Sequence, residues 1–475
     1  MEPPKPSRNW VKFTCLGCVF APCLLSFVTF GYLKYRVSKQ GDGLPIVLAE
    51  LRKMGVPTEP SDLAQKPAVP DSDNAAPYYQ QLASIRKTMS DTSVLQGYSG
   101  LAGHPDDRFE AKQQLDNAAP ALKVIDEAVK RNGCDFARDY SKGANLLFPE
   151  YADMKGAVKL LGGRAKFQWE AGNYSGAIKS IGGMLRVARH CSSEPTLIGE
   201  LVCFADYSIA MVAIDQLLEV IKNKPTALKE LDATLTREWI KPRIVHAFHG
   251  EVVMSRFTIE SLRSWHDFMP DSGSGSGGFD KTIDRLTLGD PAVRRMLETK
   301  YLELWKNAFA KFPKDESDWR GYQTTMQEIE HQIEMDNSIE GKLNQIMFPV
   351  FDQFTNAWAA MMAKQRLSLL ATKLLEKRAT SKLPSSLKEF GDLAIDPFTR
   401  KNMRYDQNGK GFKVWSVGQN ETDENGLKYL PNSSMRADDC DIVLGYDIGL
   451  PTAPPKRAYR PATPSRPGFG APSIQ

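Results

Sequence analysis

The sequence predicts a mainly α-helical protein with an N-terminal transmembrane helix, a large helical body and a small α+β module before its C-terminus. Three observations predict this: an uncharged apolar run near the start, apolar residues at helical spacing through most of the chain, and short strand-like stretches after Leu383. Composition agrees with it. The 475 residues are 42% hydrophobic and 25% charged, ample for a packed core, which excludes wholesale disorder and a multispanning membrane protein. Seven cysteines in that length exclude a disulfide-stapled miniprotein.

The first element is the anchor. Phe13 to Leu33 reads FTCLGCVFAPCLLSFVTFGYL, 21 uncharged residues, long enough as a helix to cross a hydrocarbon core of about 30 Å. Trp10, Tyr32 and Tyr35 stand near its ends, where amphipathic rings favour the headgroup zone. A cleaved signal peptide fits less well, because the run exceeds an ordinary apolar core of a signal and no A-x-A exit follows it. Three Lys or Arg flank the run on each side, so charge does not orient it. Long domains cross largely regardless of charge, which favours residues 1–12 as a cytoplasmic tail and an extracytoplasmic, periplasmic-side body.

The net charge of +4 is unevenly placed, with basic residues gathered in 1–40 and 451–475 and a mildly acidic stretch between them. That distribution does not suit nucleic acid, which needs a cationic stripe on a folded face. It suits lipid or envelope partners better. Oligomeric state is not legible.

The second element is the helical body, residues 44–380. Ala177, Ile181, Leu185 and Ala188 recur at helical spacing, as do Ile209, Ala213, Leu217 and Val220, and Phe351, Phe354, Trp358, Met362 and Leu369. Such stripes bury one helix face. Gly162 to Arg189 reads as two helices turning at Ala171-Gly172-Asn173-Tyr174, like a single tetratricopeptide-type hairpin, without recurrence at a 34-residue period. Breaks fall at Pro57 to Pro70, Gly97 to Pro105, Pro225, and the flexible run DSGSGSGGF at 271–279.

Catalytic signatures are missing from this body. His246 and His249 share a helix face while Glu251 turns away, so the HExxH arrangement that binds zinc is not formed. The phosphate-cradling, dinucleotide and nucleophile-elbow patterns are also absent. Glu328 and Glu330 read as a solvated face. Cys134, Cys191, Cys203 and Cys440 permit three full pairings, and spacing does not choose among them.

The third element is the module at 381–450. Met403 to Tyr405 and Phe412 to Val417 read as strands joined at Asn408-Gly409, with Phe412, Val414 and Ser416 on one face and Lys413, Trp415 and Val417 on the other. A helix from about Pro349 to Ala379 precedes them. Pro451 to Gln475 is a basic, proline-rich tail without apolar periodicity, expected to be disordered.

Leu383-Pro384-Ser385-Ser386-Leu387, Asp396-Pro397-Phe398, Tyr405 and Ser416-Val417-Gly418-Gln419-Asn420 resemble the C-terminal part of the major pseudopilin of type II secretion. The same block, with Asn74-Ala75-Ala76-Pro77-Tyr78-Tyr79 and Glu170 to Ala177, is similar to membrane-anchored helical proteins of planctomycete and verrucomicrobial type, to which no settled activity attaches. The first resemblance covers about residues 383–445 and the second nearly the whole chain. The span lacks the pseudopilin's peptidase site and early glutamate, which argues against a processed pilus subunit.

The pseudopilin resemblance implies a calcium ion in the loop after the second strand. Its ligands would be Asn420, Asp423, Asp439 and Asp441, with the Val417 carbonyl, although Cys440 replaces an acidic family position. Such a cation takes six or more oxygens. The alternative is that Asp423-Glu424-Asn425-Gly426 and Asp438-Asp439 are acidic turn residues in water. The expected function is therefore a membrane-anchored envelope protein acting as a binding or assembly scaffold. A component of a secretion or pilus-like machine, and a hydrolase with a site in the helical body, are the alternatives.

Overall fold

The computed structural model describes residues 41–454 except 90, 101–106, 242, 264–289, 337, 349–350 and 431–433, together with residues 35, 37 and 39. The predicted anchor at 13–33, the run at 271–279 and the tail beyond residue 454 lie outside these. The described chain is mainly helical, with one small antiparallel sheet.

Fourteen longer helices of the described chain follow in order: α1 Leu44–Lys53, α2 Ala76–Arg86, α3 Ser93–Tyr98, α4 Arg108–Asn117, α5 Ala119–Ala128, α6 Glu150–Glu170, α7 Tyr174–Cys191, α8 Leu197–Ile221, α9 Pro225–Arg237, α10 Ile244–Ser261, α11 Pro291–Lys311, α12 Trp319–Met335, α13 Ile339–Met347 and α14 Phe351–Thr380. The strands are β1 Arg404–Asn408, β2 Gly411–Ser416 and β3 Ile442–Tyr446.

Two units divide the chain. One comprises residues up to Ala213 together with Glu238–Trp358, and the other Ile214–Arg237 together with Ala359 onward. The helical stretch 44–380 falls in both units, and the sheet shares its unit with α9.

In the first unit α6 and α7 form a packed helical hairpin. Gly172 takes the positive φ of +77° that its tight turn needs, and the Asn173 side chain caps α7 by accepting the Gly176 N–H at 2.9 Å. The Asn74 motif has an equally local cause. Its carbonyl oxygen accepts the Ala76 N–H at 3.0 Å and the Asp135 N–H at 2.9 Å, starting α2 and pinning it to the chain beyond α5. Tyr79 is fully buried, with its hydroxyl 2.8 Å from His190 Nδ1. Phe248 anchors an aromatic core against Trp305, Phe312 and Phe351, with ring centroids 5.2 to 5.6 Å away. Glu330 is not simply solvated: its Oε1 accepts the Phe351 N–H at 3.0 Å and caps α14.

The stripe predicted on α7 is buried throughout, as is that on the first part of α14. On α8 the prediction fails in part, since Val220 is 42% exposed and the buried face instead runs through Phe204, Tyr207, Ala210, Ile214 and Leu217. The helix is apolar on all sides, so its sequence does not mark one face. Among the described residues α8 alone is long and apolar enough to cross a membrane, and 61% of its apolar window is buried inside the protein.

In the second unit the sheet order is β1-β2-β3, antiparallel, with Tyr405 opposite Val414 and Val414 opposite Leu444. Asn408 pairs with Gly411, and Gly409 takes φ +63°, the geometry of a two-residue hairpin turn with glycine first. Both faces of β2 are largely covered, Phe412, Val414 and Ser416 on one and Trp415 on the other. Tyr446 donates to Asp215 at 3.1 Å and Lys428 pairs with the same carboxylate at 3.0 Å, fastening the sheet to the end of α8. Arg378 and Lys222 both pair with Asp447.

Candidate functional site

Two of the four stretches that carried the resemblance, Asp396–Phe398 and Ser416–Asn420, are joined by one carboxylate. Asp396 is 1% exposed, and its Oδ1 accepts the Phe398 N–H at 2.9 Å and the Ser416 hydroxyl at 2.9 Å. Its Oδ2 accepts the Val417 N–H at 3.1 Å. The Asp-Pro-Phe turn is thereby bolted to the end of β2. Burial pushes the Asp396 carboxyl up, against those three hydrogen bonds, which favour the charged form.

Beyond β2 the chain turns through Gly418 at φ +71°, where an added Cβ would stand 3.0 Å from the Cys440 carbonyl oxygen. The loop then folds back over the outer face of β2. The Trp415 indole donates to Asp423 Oδ1 at 3.0 Å, and Asn425 and Gly426 take positive φ beneath it.

The four proposed ligands are placed differently from one another. Asp423 is engaged by Arg404 at 2.8 Å, by Trp415 and by the Asn425 N–H at 3.0 Å, and these partners hold its carboxyl below the usual range against burial. Asp439 is exposed in the turn Ala437–Asp439. Asn420 accepts the Thr422 N–H at 3.0 Å and donates to Glu424 Oε1 at 3.0 Å. Asp441 is buried, and its Oδ2 accepts the Gly426 and Leu427 N–H groups at 2.8 and 3.0 Å.

Two oxygens are left over. Asp441 Oδ1 and Glu424 Oε2 are buried and have no hydrogen-bond partner. Burial, with the charges of Glu424 and Asp423, pushes the Asp441 carboxyl up to about 6. Glu424 was read from sequence only as a turn residue; its position four residues after Asn420, beside a turn that re-enters the fold, was the available signal. Among the described residues no three His, Cys, Asp or Glu side chains are grouped as metal ligands. Two unpartnered oxygens are fewer than the six or more that a hard cation takes, and neither belongs to Asp423 or Asp439.

Glu251 turns away from the two histidines as its spacing predicts: it is half-buried and accepts the Leu197 N–H at 3.1 Å. Cys134, Cys191, Cys203 and Cys440 are buried free thiols. No protein-family model, curated protein or solved structure matches the chain.

Proposed function

We propose that this chain is a single-pass envelope protein, anchored through residues 13–33, whose helical body and C-terminal module act together as a binding or assembly scaffold. The uncharged 21-residue run supports the anchor. The observation that carries the module reading is Asp396, which joins two of the four stretches of the pseudopilin resemblance in one buried hydrogen-bonded unit. The reading places the module outside the cytoplasm, where it presents a rigid sheet to other envelope proteins.

Crosslinking in native membranes followed by identification of the captured proteins tests it. Recurrent capture of envelope proteins is the expected result, and capture of none contradicts a scaffold.

A second reading makes the module a calcium-dependent part of a secretion-like or pilus-like assembly. The buried, unpartnered oxygens of Asp441 and Glu424 favour it. In that reading Asn420, Glu424 and Asp441 hold the ion and fix the loop over Trp415, while Asp423 holds the loop through Arg404. Titration of the full chain with millimolar calcium should raise its melting temperature, and Asp441→Asn should remove that rise.

A further inference from the structure

A cleft lies in the first unit. It opens between the Pro57–Pro67 segment and α10, and its volume is about 450 Å³, within the range of about 300–1,000 Å³ typical of small-molecule sites. Asp62, Lys66, Arg243, His246 and His249 line it.

Its charge is unbalanced. The Asp62 carboxylate is engaged by the N–H groups of Thr58 and Glu59 at 3.2 and 3.1 Å. Among the described residues no carboxylate pairs with the side chains of Lys66 or Arg243, both exposed at the cleft. The Arg243 backbone N–H is used separately, donating to Glu200 at 3.2 Å. Two cations therefore line the cleft with one occupied carboxylate, and the buried Glu200, its carboxyl pushed up to about 7 by that burial, lies within the field of Arg243.

The histidines add direction. The Ser193 backbone favours the protonated form of the His246 ring, and His246 Nε2 is buried without a hydrogen-bond partner. With its proton on Nδ1, a neutral imidazole presents a lone pair at Nε2. Burial holds both His246 and His249 down at about 4, so both are neutral near pH 7. His249 lies against the Phe309 ring, 5.4 Å between centroids. A metal ion would need a third ligand, and the described residues group none with the two imidazoles.

We propose that this cleft binds a small hydroxylated phosphate compound, its oxyanion held by Lys66 and Arg243 and its hydroxyl donating to His246 Nε2. Glycerol phosphate has this chemistry, and inorganic phosphate has the oxyanion without the hydroxyl. The two probes separate the parts of the site.

Calorimetric titration of the full chain in mild detergent tests the proposal, with each probe in turn, alongside spectra of histidine-labelled protein. Glycerol phosphate is expected to bind several-fold more tightly than inorganic phosphate and to move the His246 and His249 resonances. Lys66→Gln with Arg243→Gln, both at exposed positions, should weaken both probes by about tenfold or more. His246→Gln should remove the preference for the hydroxylated probe while keeping phosphate. Absence of saturable binding by either probe up to about 10 mM overturns the proposal, as does binding unchanged by the double substitution.

Discussion

Asp396 carries more of the C-terminal module than any neighbour of its size. Replacing it with Ala would leave the Ser416 hydroxyl and the Phe398 and Val417 N–H groups buried without their acceptor, at a cost of about 3 kcal/mol or more. Hydrogen exchange of peptides spanning β2 and β3 should accelerate by about a hundredfold in Asp396→Ala, while peptides from α6 and α7 keep their protection. Glu251 gives a signed pH effect. Burial raises its carboxyl to about 7, above the ordinary value near 4.5, so the folded state holds the proton more tightly than the unfolded chain. Its contribution to stability is therefore lost as pH rises between those values. Glu251→Gln should match the parent protein near pH 4.5 and exceed it by up to about 3 kcal/mol at pH 8, measured as the difference between paired unfolding curves. For Asp441 the proton competes with calcium: in the calcium-dependent reading, affinity should be flat above about pH 6 and fall as pH drops through it. Calcium affinity independent of pH in that window would remove Asp441 as a ligand.

At the scale of elements, legibility followed how one-sided each sequence is. Ala177, Ile181, Leu185 and Ala188 mark the buried face of α7 because polar residues occupy its other side. Nothing comparable distinguishes the faces of α8, and Val220 was assigned to the core on spacing alone. Leu217→Ala, at a fully buried site, should cost about 2–5 kcal/mol, whereas Val220→Ser should change stability by less than about 0.5 kcal/mol. Similar losses at both positions would contradict the observed orientation. The β1–β2 hairpin was legible from Asn408-Gly409, whose glycine supplies the positive φ. Strand β3 was not predicted, although Ile442-Val443-Leu444-Gly445-Tyr446 is rich in strand-favouring residues, because it is short and follows directly on the acidic run Asp438–Asp441. The loop covering Trp415 depends on contacts between residues distant in sequence, from Asp423 to Trp415 and from Gly426 to Asp441, which periodicity does not encode.

At the scale of the whole molecule, the division into units was the least legible feature. Ile214–Arg237 belongs with the sheet although more than a hundred residues of the other unit follow it in the chain, and only long-range packing records that. In the candidate loop, Asn420, Asp423, Asp439 and Asp441 were named from the resemblance; Glu424 draws notice only through its buried unpartnered oxygen, which no sequence pattern marks, and Asp423 is engaged by Arg404. Location, by contrast, rests on the uncharged stretch at 13–33 and on nothing in the folded units. Alkaline carbonate extraction of membranes carrying the full chain, beside a variant lacking residues 13–33, tests it most directly. The account predicts that the full chain stays in the membrane pellet and the variant moves to the soluble fraction; release of the intact full chain would contradict it.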